Sequence, residues 1–285
     1  MLHPPSAEVP SLERCWLFAR SAVPAGGCPG TRLTELVGTV LTGLVAAARR
    51  ADPGMDWFFD PEDSPAGRLS LGFHAVPAAL DAVRAGLLAY DPGTSLAGDR
   101  RVVRDPARGG PLAFAGSELA LTLLGGDVPW LAGGELPLAV AHLRHLTGLM
   151  PAADRLAFLF LHWQERSQRL TGAQRRDLAA QADAGAEKIV LSAGDLPLGG
   201  DVAVAWQRYL DRVTDVVGHD HPTAPPGFLL AHHAQLTHDR WGIRPEVDSL
   251  AALALRLSMV RGSPAATAPA HVPQRRQQPH ARAGT

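Results

Sequence analysis

The sequence predicts an α+β fold in which a βαββαβ ferredoxin-like sheet is followed by a mostly helical half. Three observations carry this expectation. Arg68-Leu-Ser-Leu-Gly-Phe-His74 sets apolar Leu69, Leu71 and Phe73 at every second position, the period of a strand with one buried face. Short aromatic or alternating runs are interleaved with two helical runs before residue 107. Beyond Pro111 the apolar positions recur at helical spacing nearly to residue 260.

In chain order, residues 1–11 read as a loose arm, and Arg14-Cys-Trp-Leu-Phe-Ala-Arg20 as the first strand, ended by the Pro/Gly stretch from Pro24 to Gly30. Thr31 can cap a helix whose apolar positions Leu33, Leu36, Val37, Val40, Leu41, Leu44 and Val45 share a face as far as Arg50. Asp52-Pro-Gly54 stops it. Asp56-Trp-Phe-Phe59 and Arg68–His74 make two neighbouring strands, a helix spans about 77–88, and Arg100-Arg-Val-Val-Arg104 supplies the fourth strand after the Asp91-Pro-Gly93 turn. Helices are then expected at about 113–124, 136–148, 152–168, 172–184, 202–217, 227–241 and 246–260. Thr171-Gly-Ala-Gln174 is a capping box, and Trp206, Leu210, Val213 and Val217 mark a buried stripe. Residues 12–260 are read as one domain, with a sheet-containing part 12–106, a helical part 107–260 and a disordered tail 261–285 of Pro, Ala, Gln and Arg without periodicity.

Composition narrows the function. With 285 residues, 46% of them apolar, the chain can bury a large core. Its 27 basic and 28 acidic residues leave no surplus for a phosphate backbone, so nucleic acid is not an expected partner. No membrane span is expected, because no run of 18 apolar residues occurs, and Met1–Pro10 has no signal-peptide pattern, so a cytoplasmic location follows. Cys15 and Cys28 have no metal or redox spacing and read as reduced structural residues.

Chemistry is concentrated at Gly227–Ile243, where His232, His233, Gln235, His238, Asp239 and Arg240 fall within nine residues of one helix. Helical spacing puts His232, Gln235 and Asp239 on one side and His233, Thr237 and Arg240 on another. Two polar stripes on one helix do not make an ordinary core helix. A zinc site using His219-Asp-His221 with these imidazoles is one reading, although no HExxH occurs. Tyr90, Tyr209, Trp163 and Trp206 are read as packing residues, and Glu118 with Arg108 as a structural ion pair or a substrate contact.

Trp16 and Phe18, Trp57-Phe58-Phe59, Arg68-Leu-Ser-Leu-Gly-Phe73, Arg104-Asp-Pro-Ala-Arg-Gly-Gly-Pro111 and His238-Asp-Arg-Trp-Gly-Ile243, in this order, resemble the thiopeptide-type bacteriocin biosynthesis proteins. These are homologous to the C-terminal elimination domain of lantibiotic dehydratases. The resemblance spans about residues 12–260 and implies an elimination-domain-like fold. Dehydrating members carry two arginines on the third strand where this chain has Ser70 and Gly72. Removing the α-proton of a glutamyl ester builds an enolate and expels a carboxylate, which calls for cationic groups that two neutral residues cannot supply. The family's catalytic His aligns here with Gln235, which does not titrate near neutrality.

Stand-alone members without the elimination residues resemble thiopeptide pyridine synthases. That likeness implies formal aza-[4+2] cycloaddition of two dehydroalanines in a ribosomally made precursor peptide, then loss of water and of the leader, with no cofactor and no metal. Cycloaddition needs two remote alkenes held together, and the later steps need proton donors and acceptors. His232, Gln235 and His238 are the expected catalytic residues; Ser70, His74, Tyr90 and Arg240 are the expected substrate contacts, with Arg240 alternatively paired with Asp239. The competing functions are the glutamate-elimination half of a split dehydratase and a non-catalytic scaffold that binds the precursor.

Overall fold

The computed structural model describes residues 13–22, 33, 35–62, 68–98, 106–125, 134–194, 196, 200–218 and 225–262. Two compact units divide the chain: one comprises residues 1–130 and 235–243, the other residues 131–234 and 244–285. The break thus falls later than the expected sheet-to-helix division at 106/107, and a short segment from far along the chain returns to the first unit. No helix among the described residues is long and apolar enough to cross a membrane.

The first unit contains β1 (Cys15–Ala22), a π-helical turn (Leu36–Leu41) that runs straight into α1 (Thr42–Ala51), β2 (Asp56–Glu62), β3 (Arg68–Ala75), α2 (Pro77–Tyr90), β4 (Ser95–Gly98), the short α3 (Pro106–Gly109) and α4 (Pro111–Gly125). The sheet order is β2-β3-β1-β4, and each neighbouring pair is antiparallel. Alternation sorts the side chains. Leu17, Ala19, Trp57, Phe59, Leu69, Leu71, Phe73 and Ala75 are buried on one face, and Trp57 stacks on both Phe59 and Phe73 there. Trp16, Phe18, Ser70 and His74 on the other face keep part of their surface in solvent.

Two aspartates tie this unit's turns to its sheet. Asp52 ends α1 in an extended conformation, and its carboxylate takes the N–H groups of Gly54 and Val76 and pairs with Arg14 at 2.7 Å. Burial pushes this carboxyl up, but the Val76 N–H, Arg14 and the Gly54 N–H together outweigh it and hold the group below 3.8. Asp91, just past α2, accepts from the N–H groups of Ala22 and Gly93 and from the Ser21 hydroxyl, which hold it below its ordinary value.

Sequence and structure differ in two places here. The described fourth strand is Ser95–Gly98, whereas the expected Arg100–Arg104 strand lies outside the described residues, as do Thr31, the arm, the His219–His221 loop and the tail beyond residue 262. β2 continues past Phe59 through Pro61 to Glu62. Because β2 is an edge strand, and the Phe59 N–H two residues earlier already points away from β3, a proline at 61 removes no ladder donor.

The second unit holds α5 (Glu135–Gly148), α6 (Arg155–Ser167), α7 (Gly172–Ser192), α8 (Gly200–Val217) and α10 (Pro245–Val260), together with the first part of α9 (Pro226–Arg240). α10 packs against α5, α6 and α7. Its buried face carries Ala251, Ala252, Ala254, Ser249 and Ser258, small side chains that let neighbouring backbones approach closely. The Thr171/Gln174 capping box is formed, and the helix it starts extends to Ser192 instead of ending near 184.

Candidate active site

The half-open face of the sheet is organised in cross-strand rows. Asp56, His74 and Trp16 lie abreast on β2, β3 and β1; Phe58, Gly72 and Phe18 form the next row; Asp60, Ser70 and Arg20 form the third. Trp16 stacks on His74 with ring centroids 4.9 Å apart and on Phe18 at 5.3 Å. Phe58 meets both Trp16 and Phe18 edge-on, and Phe114 of α4 closes against Phe58 and Trp16. The middle row depends on glycine: a Cβ at Gly72 would stand 2.3 Å from the Phe58 ring. The side-chain space at position 72 is therefore filled by an aromatic ring.

Polar groups border this aromatic floor. His74 is 30% exposed, and its Nδ1 lies 3.7 Å from an Asp56 carboxylate oxygen. At the other end, the Ser70 hydroxyl donates to Glu62 Oε1 at 2.6 Å, and Arg20 Nε reaches the same oxygen at 2.9 Å. Ser70 is thus anchored beside a cation contributed by β1.

The edge of β2 next to this row is closed. The Phe59 N–H donates to Ser117 Oγ of α4 at 3.1 Å, and its carbonyl accepts from Arg240 Nε at 2.8 Å. The Arg240 side chain is fully buried, and it also donates to Asp60 Oδ1 at 2.6 Å. Arg240 thus has a carboxylate partner on β2, distant in sequence, beside the Asp239 pairing considered above. Burial pushes the Asp60 carboxyl up to about 6, although the Arg240 and Arg108 charges both pull it down. Glu118 takes the Trp57 indole N–H and the Arg49 guanidinium, so its described ion pair is with α1.

Of the seven side chains singled out from sequence, Ser70 and His74 lie on one sheet face, and Arg240 joins them through Asp60. Gln235 and His238 belong to the same unit, Gln235 half-buried and His238 fully buried beside Trp241. His232 is half-buried and belongs to the second unit. Tyr90 stands apart: burial raises its hydroxyl pKa, Glu35 and Asp91 add to the effect, and its oxygen has no hydrogen-bond partner among the described residues.

Three polar groupings emerge that sequence reasoning had not assembled. Asp60 was missed because the strand was ended before Pro61. In the second unit, Tyr209 Oη lies 2.7 Å from His142 Nε2 and 2.8 Å from His233 Nε2, with all three residues buried. One hydroxyl proton can serve only one imidazole, so at least one of the two rings donates its own Nε2 proton to the phenol oxygen. A tyrosine on the apolar stripe beside Trp206 and Val213 was the available signal, since a buried phenol needs a partner. Also in the second unit, the fully buried Asp248 pairs with His162 and Arg166, each at 2.7 Å.

This arrangement, a four-stranded antiparallel sheet with helices interleaved and following, is similar in fold to three solved structures. The pyridine synthase TbtD from thiomuracin biosynthesis has it with a TM-score of 0.60 at 15% identity, over 87% of this chain and 99% of that one. TsrL gives 0.54 at 14%, over 89% and 97%. The tRNA-dependent lantibiotic dehydratase MibB from Microbispora sp. 107891 gives 0.56 at 18%, over 92% of this chain and 29% of that larger one. No protein-family model and no curated protein matches the sequence. At these identities the likeness establishes the fold.

Proposed function

We propose that the chain is a maturation enzyme of ribosomally made peptides that forms a six-membered nitrogen heterocycle from two dehydroalanines, with loss of water and leader. The observation that carries this reading is the occupation of Gly72's side-chain space by Phe58 on the face where a dehydratase would present arginines. A surface of stacked aromatic rings suits the holding of two alkenes, where positioning supplies most of the rate. It does not suit glutamate elimination, which builds negative charge. TbtD, a pyridine synthase of the same fold, supports the choice. We read the sheet as ferredoxin-like and the whole of residues 12–260 as serving one activity.

In this reading Ser70, His74, Tyr90 and Arg240 serve the substrate, and His232, Gln235 and His238 carry the proton transfers, Gln235 holding the amide that passes to its iminol form. His232 and Gln235 are the more accessible of the three. No cofactor or metal is required, the partner is the precursor peptide, and the site of action is the cytoplasm. Mass analysis of a reaction with a dehydroalanine-bearing, azole-containing precursor tests the proposal. Loss of leader plus water is expected. Loss of glutamate from a glutamylated precursor would replace it with elimination, and an unchanged mass with a binding scaffold.

A further inference from the structure

We infer that Asp60, rather than serving only as the counter-ion of Arg240, is a catalytic acid of this site that protonates the hydroxyl leaving the newly formed ring. The assignment rests on the synthase reading above and adds a residue to it. Three geometric facts support it. Asp60 projects from β2 onto the face shared with Ser70, its direct partner across the ladder, so it stands in the same row as a hydroxyl that can orient a substrate oxygen. Its carboxyl is shielded but not sealed, at 19% exposure, whereas Arg240 behind it is fully buried. Arg240 is also fixed from a second side by the Phe59 carbonyl, so it stays in place whether Asp60 is charged or neutral.

The surroundings suit a group that alternates between acid and base. Arg240 and Asp239 face it from α9, Arg108 from α3, and Ser70, Glu62 and Arg20 from the strands; among the charges that act on it, Arg240 and Arg108 favour the anion and Asp239 opposes it. Burial outweighs the two cations and brings the carboxyl to about 6, close enough to neutrality for a useful fraction to hold a proton.

The step balances without any further reagent. The carboxyl proton passes to the hydroxyl as the C–O bond breaks, and the ring nitrogen's lone pair forms the C=N bond. The nitrogen's proton then returns to the Asp60 carboxylate, so one water has left and the enzyme is restored. Arg240 stabilises the carboxylate in the interval.

The test is turnover of the full-length protein on the dehydroalanine-bearing precursor across pH 5–9, comparing wild type, Asp60→Asn and Asp60→Glu, together with a carbon-13 titration of the Asp60 carboxyl. Wild-type turnover should fall as pH rises past the Asp60 titration midpoint. Asp60→Asn should lose roughly 10²–10⁴-fold in turnover and with it that pH limb, while Asp60→Glu regains part of both. If Asp60→Asn does not fold, the wild-type profile and the Asp60→Glu variant decide, and a pH limb that does not follow the carboxyl titration overturns the assignment. A wild type that releases water and leader alongside a folded Asp60→Asn that does so equally well overturns the assignment alone. A wild type that releases neither overturns the synthase reading and this inference with it.

Discussion

Gly72 has the ring of Phe58 where its side chain would be, so substitution there is a packing problem before it is a chemical one. Phe58 is 5% exposed and held by Trp16, Phe18 and Phe114, which leaves its ring little room to turn away. Gly72→Ala is expected to cost about 1–3 kcal/mol in urea denaturation, the usual range for overpacking. Gly72→Arg should cost at least as much without conferring glutamate elimination; a stable arginine variant that eliminates glutamate would show that the two activities differ by this residue alone. The proposed proton carriers are tested at the same scale. His232→Ala and His238→Ala should each lower turnover by roughly 10²–10⁴-fold with the protein still folded by circular dichroism. Gln235→Ala should cost less, about 1–3 kcal/mol, if an amide loses its buried partner. Full activity in all three folded variants would make α9 a scaffold and direct attention to Ser70, His74 and Asp60.

Among the elements, α9 shows how far periodicity reaches. The helix expected at 227–241 is Pro226–Arg240, and the two polar stripes sort as the spacing required. His232, Gln235 and Asp239 are half-buried, and His233, Thr237 and Arg240 are buried. Spacing along one helix defines its faces but carries no information about what meets them. Tyr209 lies 24 residues before His233, and Asp60 lies 180 before Arg240, so neither partner could be read locally. β2 and β4 show the same limit. Pro61 ended the expected β2 early because the reading could not know it was an edge strand, and the small, weakly patterned Ser95–Gly98 gave no strand signal of its own. The buried His142–Tyr209–His233 chain offers a direct test of what such long-range partners contribute. Tyr209→Phe leaves two imidazole nitrogens facing a hydrocarbon ring, and each buried polar group deprived of its partner costs about 1–3 kcal/mol. A clear drop in thermal midpoint is expected; an unchanged midpoint would mean that both rings find other partners at no cost.

For the whole molecule, a substrate much longer than its reacting atoms lets binding energy from the distant leader be used to hold two alkenes together. Removing the leader should therefore lower kcat/KM on an otherwise identical modified core; equal turnover of both substrates would sink that expectation. Stability supplies a second, independent reading of the same site. The folded Asp60 carboxyl titrates near 6 against 3.8 when unfolded, so between these values the native state binds the extra proton. Its contribution is fully present below about 3.8 and is lost as pH rises through about 6. The span corresponds to something on the order of 3 kcal/mol, an upper figure because the group keeps some solvent. Asp52 and Asp91 act in the opposite sense: both are held below 3.8, and their stabilisation is lost only as pH falls beneath that value. Across pH 4–6 their effect is small beside that of Asp60. Other titrating groups contribute alike to wild type and to a single-site variant, so the difference between two stability curves isolates Asp60. Relative to Asp60→Asn, the wild type should lose stability in chemical denaturation as pH rises from 4.5 to 7. Parallel curves for the two proteins would place the Asp60 titration outside this window and remove the electrostatic basis for its acid role.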